Sequence, residues 1–367
     1  MKKIYGFILL SLAAIAMAAC EKQSEDEKKG PAADSELLLS TDKVYIQSNG
    51  TDAATITLTL AGEPVTEGVT FYDANTNAVI DVTGMKFTAT EDGTYSFWAS
   101  YLTYTSNTIT LKAIPMAVPA NPTDTDKAGT SFNRRLLVTQ FTGTKCPNCP
   151  YMITALHDVY NDQAYASRVV HVACHTSWAS DFLLDKDIHG FLAVSGAPWL
   201  VVDFDKNSKM GVYNNSQDVM NIKWVIDEWY AAQEPMAGIA VNSVISGNTL
   251  AVKALVKAAV TDEYRIGAWL MEDNLSAEQS GSSLDWMNTH NNVLRIADSE
   301  ISAQNFSGYK LGKVNAGGYA EYVFVMDLDP EWKKEDLHLA VFVTNGGIVN
   351  NAVDCPAGES IGFDYAE

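Results

Sequence analysis

The sequence predicts a multidomain chain: a β-sandwich, then an α/β unit, then a second β-sandwich. Three observations predict it. Residues 36–114 alternate apolar and polar positions almost throughout, with turn signals between short runs. From 132 to 235 the pattern changes to buried strands alternating with amphipathic helices. From 236 to 367 the period of two returns. The length of 367 residues is more than a single core serves, so several units are expected.

The N-terminus is read as an export signal rather than as fold. Lys2 and Lys3 give a basic start, Ile4 to Ala16 an apolar run too short to span comfortably, and Met17-Ala18-Ala19 a small-residue exit. Residues 1–19 are therefore expected to be a lipoprotein signal peptide, with Cys20 lipidated behind them. Lipid on Cys20 is the expected link to a membrane, since no later run of about eighteen apolar residues exists. Residues 20–35 ("CEKQSEDEKKGPAADS") read as an acidic, solvated tether. Its "SEDE" resembles, in part, the surface-export signal of Bacteroidetes lipoproteins, so the face of the outer membrane is left open. The net charge is −20, from 45 Asp and Glu against 25 Lys and Arg. That balance excludes nucleic acid as an expected partner, because phosphate contacts need Lys and Arg.

Each segment carries its own justification. In 36–114, "ATITLTL", "VTFYDA", "MKFTAT", "GTYSFWASY" and "SNTITLKAI" read as strands, and "SNGT", "DANTN" and "EDGT" as turns. Short strands at this spacing predict an immunoglobulin-like sandwich, with Trp98 and Tyr101 in core or rim positions. Residues 115–131 are a Pro-rich, extended linker. In 132–235, "RRLLVTQFTG" is a buried strand and "PYMITALHDVYND" a helix. "SRVVHVACHT" is the next strand, and "DIHGFLAVSG" a short helical run. "APWLVVDFD", a turn at "KNSKMG" and "VYN" then make a hairpin. Ser216 is expected to cap a last helix with Val219, Ile222, Ile226 and Trp229 inward. In 236–367, "AGIAVNSVI", "TLAVKALVKAAV", "YRIGAWLMED", "GYAEYVFVMDL", "LHLAVFVTN" and "IVNNAVDC" read as strands of the second sandwich. "DWMNTHNNVLRIADS" interrupts them as a long insertion, and His290 within it reads as a surface loop residue.

The chemistry-bearing motif is "TGTKCPNCPYM". Cys146 and Cys149 follow a buried strand and open a helix. Unpaired amide donors and the helix dipole there favour a thiolate on Cys146. Two intervening residues bring Cys149 round one turn, within reach of a mixed disulfide on Cys146. Pro147 suits a first helical turn. Three readings follow from the residues: a redox pair, a structural disulfide, or half of a metal site with a histidine of "VVHVACHT". For the metal reading, His171 and His175 share one face of a strand and Cys174 takes the other. No metal and no cofactor is therefore expected.

The stretches "LLVTQFTGTKCPNCPYMITALHDV" and "VSGAPWLVVDFDKN" resemble the thioredoxin active-site strand and helix and the segment holding the thioredoxin cis-proline. The resemblance covers about a hundred residues. It implies a thioredoxin-like fold for 132–235, with Cys146 as attacking thiol, Cys149 as resolving thiol, a disulfide between them, and Pro198 as the cis-proline facing them. Two positions depart from that pattern. Gln140 stands where thioredoxins carry a buried carboxylate, and Lys145 where an aromatic residue commonly precedes the first cysteine. At larger scale, "FTGTKCPNCP" followed by a sandwich containing "HNNVLR" is similar to a family of Bacteroidetes outer-membrane lipoproteins, named after a twenty-eight-kilodalton outer membrane protein. The expected function is thiol–disulfide exchange on exported proteins. The alternative is a surface binding or adhesion lipoprotein whose disulfide is structural; Tyr151, Trp178 and Trp199 fit either a peptide groove or a partner patch.

Overall fold

The computed structural model describes residues 36–176, 188–299 and 308–366. The expected leader, Cys20, the acidic tether and Trp178 lie outside the described residues. Among the described residues no helix is long and apolar enough to cross a membrane. The fold is mostly β-sheet, in several sheets.

The alternating N-terminal segment forms two sheets that share one core. Leu37–Thr41, Ala54–Leu60, Glu63–Pro64 and Lys86–Phe87 make one sheet; Gly93–Tyr101 and Ile109–Ile114 lead the other. Ile56, Leu58, Phe71, Phe97 and Leu111 fill the space between them. Each strand buries alternate residues, as a period of two requires, and Ala54–Leu60 shows it from end to end. Trp98 stacks on Tyr72 at 4.4 Å between centroids, a rim position. The linker is not a loose spacer. Met116 packs with Tyr45 and Ile114 against Ala251 and Val323, and Asp124 accepts from the fully buried Lys257 ammonium at 2.9 Å.

The remaining strands build a nine-stranded sheet that crosses the boundary expected at 235. Its order runs Asp205–Met210, Trp199–Val202, Leu136–Thr142, Val169–His175, Val293–Asp298, Asp262–Glu272, Leu337–Asn345, Ile348–Pro356, with Tyr309–Val314 beside Asp262–Glu272. The join is narrow: Ala173 pairs with Val293, and the Ala173 N–H donates to Asn292 O at 2.8 Å. The strand that makes it lies inside the stretch read as an insertion. "VLRIAD" is strand because Val293 and Leu294 are buried and its backbone pairs with Asp262–Glu272. A four-stranded sheet (Ala237–Ser246, Thr249–Ala258, Tyr319–Asp327, Ser360–Ile361) covers the C-terminal part over a core of Ile239, Val252, Ile266, Leu339 and others.

Within the α/β part, Leu136–Thr142 and Val169–His175 are parallel, and the helix Cys149–Tyr160 connects them. Leu136 and Val138 face that helix and the helix Asp218–Ala231, packing on Met152, Leu156, Ile222 and Ile226. Leu137 and Phe141 face the opposite way, toward Trp269, Phe342 and Val349. The last helix starts at Asp218 rather than behind a Ser216 cap. The Asp218 carboxylate accepts from the Tyr213 and Asn215 amides and so fixes the entry.

The hairpin turn is Asp203–Phe204, not the polar "KNSKMG", which instead supplies the strand Asp205–Met210. Both turn residues have positive φ, 51° and 62°. Such values suit a two-residue hairpin but are uncommon for Phe. Two buried interactions hold them. Phe204 wedges against Trp269 and Phe342, with centroids 5.3 and 5.2 Å away. Asp203 pairs with Arg134 at 2.6 Å, their side chains 1% and 3% exposed. Asp203 also accepts from the Leu137 N–H at 2.8 Å, and its carbonyl accepts from the Val349 N–H at 2.9 Å. Arg134 donates further to Tyr230 O and Asn350 O, both at 3.0 Å.

Breaking a buried pair by removing one partner strands the other charge, which costs about 3–5 kcal/mol. Arg134→Met is therefore expected to lower the unfolding free energy by about that amount in urea denaturation. A loss below about 1 kcal/mol, the range of an exposed pair, would refute the role given to this pair.

Candidate functional site

The buried strand Leu136–Thr142 ends at a turn that carries the two cysteines. Cys146 and Cys149 are joined in a disulfide, with 5.3 Å between their Cα atoms. The helix starts at Cys149, three residues later than the motif suggested, with Cys146 in the turn before it. The prolines explain the delay. In a continuous helix the carbonyls of Gly143 and Cys146 would accept from residues 147 and 150. Both are proline and have no N–H to give.

Both carbonyls accept instead from amides three residues on, Cys146 N–H at 3.1 Å and Cys149 N–H at 3.3 Å, and a residue from the C-terminal part adds a further donor. The Gln279 side chain is 1% exposed, and its Nε2 lies 3.1 Å from Cys146 O, 3.2 Å from Gly143 O and 3.4 Å from Thr144 O. Its two N–H groups are shared among these carbonyls. The Ser280 amide donates to Thr144 O at 2.8 Å. Gly281 then passes so close that a Cβ on it would sit 2.2 Å from Pro147 O, and its φ is +81°. Only glycine fits there. The segment Ala277–Gly281 is thus laid over the disulfide turn, leaving Cys146 4% exposed and Cys149 at 0%. Both cysteines are buried, and Cys146 alone retains a trace of surface. The base of this capping segment is fixed by His338, which lies 3.3 Å from Asp273 and 3.1 Å from Asp354. Burial alone would depress its pKa, but the two carboxylates outweigh burial and raise it to about 9.

Pro198 lies at the same end of the sheet. The register pairs Phe141 with Trp199, which puts Pro198 level with Thr142, and the Ala197–Pro198 bond is cis. Lys145 is exposed. Gln140, 4% exposed, pairs through Oε1 with His171 Nε2 at 3.1 Å. Burial pushes the His171 imidazole down to about 4. His171 and His175 do share the face toward the helix, while Cys174 lies in the core on the opposite face. Cys174 and Cys355 keep their thiols in two separate cores. Burial drives the Cys355 thiol up to about 12. Tyr151 borders a shallow depression with Asn214 and Asp218, whereas Trp199 lies 5.4 Å beneath the Lys209 ammonium. The described residues do not bring these two aromatics into one patch.

His290 is not a surface residue. It is 7% exposed, donates from Nε2 to Ala277 O over 3.0 Å, and packs edge-on against His175 at 5.5 Å. Between the helix, the sheet and this segment lies a cleft of about 330 Å³. Gln279, Gly281, His290 and the cleft were not read from the sequence. The available signal was "CPNCP", whose prolines deny the carbonyls of Gly143 and Cys146 their helical donors and leave room for an outside one.

Gly281→Ala is expected to lift the cap, because its Cβ cannot enter without moving the backbone at Pro147. The Cys146–Cys149 bridge should then be reduced several-fold faster by a phosphine reductant, read by thiol release. An unchanged rate would show that the segment does not limit access.

No family model matches the chain, and no curated protein matches it. Among solved structures, HBP35 of Porphyromonas gingivalis is similar at a TM-score of 0.50 and 16% identity, over 62% of this chain and 76% of that one. The surface layer protein SbsC, domains 4–9, aligns over 91% of this chain and 69% of that one, at 11% identity and a TM-score of only 0.17, and carries no argument. At 16% identity the likeness to HBP35 shows a shared fold, and the activity must be argued from the chain's own residues.

Proposed function

We propose that this chain is a lipid-anchored cell-envelope protein, held through Cys20, that exchanges disulfides with exported proteins through Cys146 and Cys149. On this reading residues 132–235 are a thioredoxin-like unit of the Bacteroidetes outer-membrane lipoprotein family named above. The observation that carries it is the placement of the bridge. It closes one turn at the end of a buried parallel strand, at the start of a helix, and the cysteine nearer the strand keeps what little surface the pair has, 4% against 0%. The strand order and the position of Pro198 beside Thr142 support the same reading.

The chemistry follows from that placement. A substrate thiolate attacks Cys146 Sγ, the Cys146–Cys149 bond breaks, and Cys149 leaves as thiolate. The helix N-terminus favours that negative charge. A second substrate thiolate then attacks the substrate sulfur of the mixed disulfide and displaces Cys146. The substrate loses two electrons and gains a disulfide, while the pair becomes a dithiol. The reverse sequence reduces a substrate disulfide. Gln140 cannot take up the proton that a carboxylate at its position would accept, and His171 beside it is held neutral. Proton transfer at Cys149 therefore differs from that implied by the thioredoxin resemblance.

The burial of both sulfurs beneath Gln279 favours a second reading, in which the bridge is a structural staple and the β-sheet parts bind a partner at the cell surface. Two variants separate the readings. Cys149→Ser lacks the resolving thiol and is expected to accumulate mixed disulfides with exported proteins on non-reducing gels, whereas Cys146→Ser accumulates few or none. A staple predicts no trapped species from either variant, and a loss of about 2 kcal/mol of stability from both, as a short loop gives.

A further inference from the structure

The cleft beside the disulfide turn is built as a site in its own right. Its floor is formed by Gln140 and Thr142 of one strand and His171 of the next, and one wall is the helix, with Leu156 and Tyr160. The other wall comes from the C-terminal part, with Trp286 and Met287. Trp286 leans on His157 at 4.9 Å between ring centroids, so the rim is aromatic.

Three polar atoms in this cleft are buried and have no hydrogen-bond partner: Gln140 Nε2, Thr142 Oγ1 and Tyr160 OH. Gln140 and Thr142 are themselves 4% and 3% exposed. The His171 bond at 3.1 Å occupies the Gln140 carbonyl oxygen and leaves the amide N–H groups without a partner. Native proteins rarely leave such groups unsatisfied, and a cluster of them from two elements around one cavity marks a place where something else accepts. All three can donate. Lys, Arg, Asp and Glu are all missing from the lining, in a chain of net charge −20. His171 is neutral by burial. No permanently charged side chain in the lining compensates a charged ligand, while Leu156, Met287 and the rings of Trp286 and Tyr160 suit a flat apolar body. The volume of about 330 Å³ is roughly eleven water volumes, at the small end of ligand cavities.

We propose that this cleft binds a small, uncharged, flat molecule whose carbonyl-type oxygen accepts from Gln140, Thr142 and Tyr160 while its ring lies against Trp286 and Leu156. The site does not depend on the redox reading, and it is tested with the Cys146–Cys149 bridge closed.

The probe is N-methylpyridone, a flat neutral ring with a strong acceptor and no donor. Aniline, of like size but chiefly a donor, and benzoate, an anion, serve as controls. Titration followed by NMR shifts of the Gln140 side-chain amide and the Trp286 indole is expected to saturate for N-methylpyridone and not for the controls. Thr142→Val and Tyr160→Phe each remove one donor with little change of shape. Each is expected to weaken N-methylpyridone about tenfold, one hydrogen bond's worth, with no loss of stability in the unliganded protein. Gln140→Leu should weaken it at least as much, and the two milder variants decide the matter if Gln140→Leu fails to fold. Absence of saturable binding, equal binding of aniline or benzoate, or affinity unchanged in Thr142→Val and Tyr160→Phe overturns the proposal. A clear loss of stability in the unliganded variants also overturns it, because the hydroxyls would then be satisfied by water.

Discussion

The buried pair of Arg134 and Asp203 fixes where the two parts of the chain meet, and the site depends on that meeting. Asp203 suits the first position of its turn while Phe204 does not suit the second, and Arg134 holds Asp203 there. The same guanidinium reaches Tyr230 O beside the last helix and Asn350 O on the Ile348–Pro356 strand. With Phe204 wedged between Trp269 and Phe342, the turn is bound to the C-terminal strands. The nine strands therefore form one continuous sheet, joined by the short Ala173–Val293 contact. Burial of this kind is specific rather than cheap. Two charges removed from water gain only when each remaining polar atom finds a partner, and here the backbone supplies those partners.

That junction brings a C-terminal segment over the disulfide turn. The two prolines of the motif deny the carbonyls of Gly143 and Cys146 their helical donors; these carbonyls accept from the turn amides of Cys146 and Cys149, and Gln279 adds a side-chain donor from a position 133 residues beyond Cys146. The cap and the cleft are both products of the shared sheet. Leu136–Thr142 carries the disulfide at its end and the unpartnered donors Gln140 and Thr142 along one face. A ligand in the cleft and a partner at Cys146 would thus touch the same strand.

Much of the strand pattern was legible because it rests on local rules. Alternation at Ala54–Leu60, the parallel pair around "CPNC", the opposite faces of His171 and Cys174, and the inward set Ile222 and Ile226 all follow from side-chain period. The misreadings have tertiary causes. "KNSKMG" carries the polar residues of a turn, yet the chain turns at Asp203–Phe204, because an ion pair and an aromatic wedge override local preference there. "VLRIAD" follows a polar run and so read as insertion, and its strand identity comes from the neighbours it pairs with. His290 reads as exposed beside its asparagines, but the hairpin carrying it folds down onto His175. Gln279 has no local signature at all, since the carbonyls it donates to lie in a turn far away in sequence.

The measurement that bears most directly on the account is the equilibrium of the Cys146–Cys149 bridge with glutathione. The full chain would be equilibrated across a series of reduced and oxidised glutathione mixtures, quenched in acid, and the thiols of Cys146 and Cys149 counted by mass. A working exchange site predicts that the bridge opens within the range of such proteins, about −270 to −120 mV. A bridge that stays closed at every mixture, with a potential below about −300 mV, is a structural one and would contradict the account.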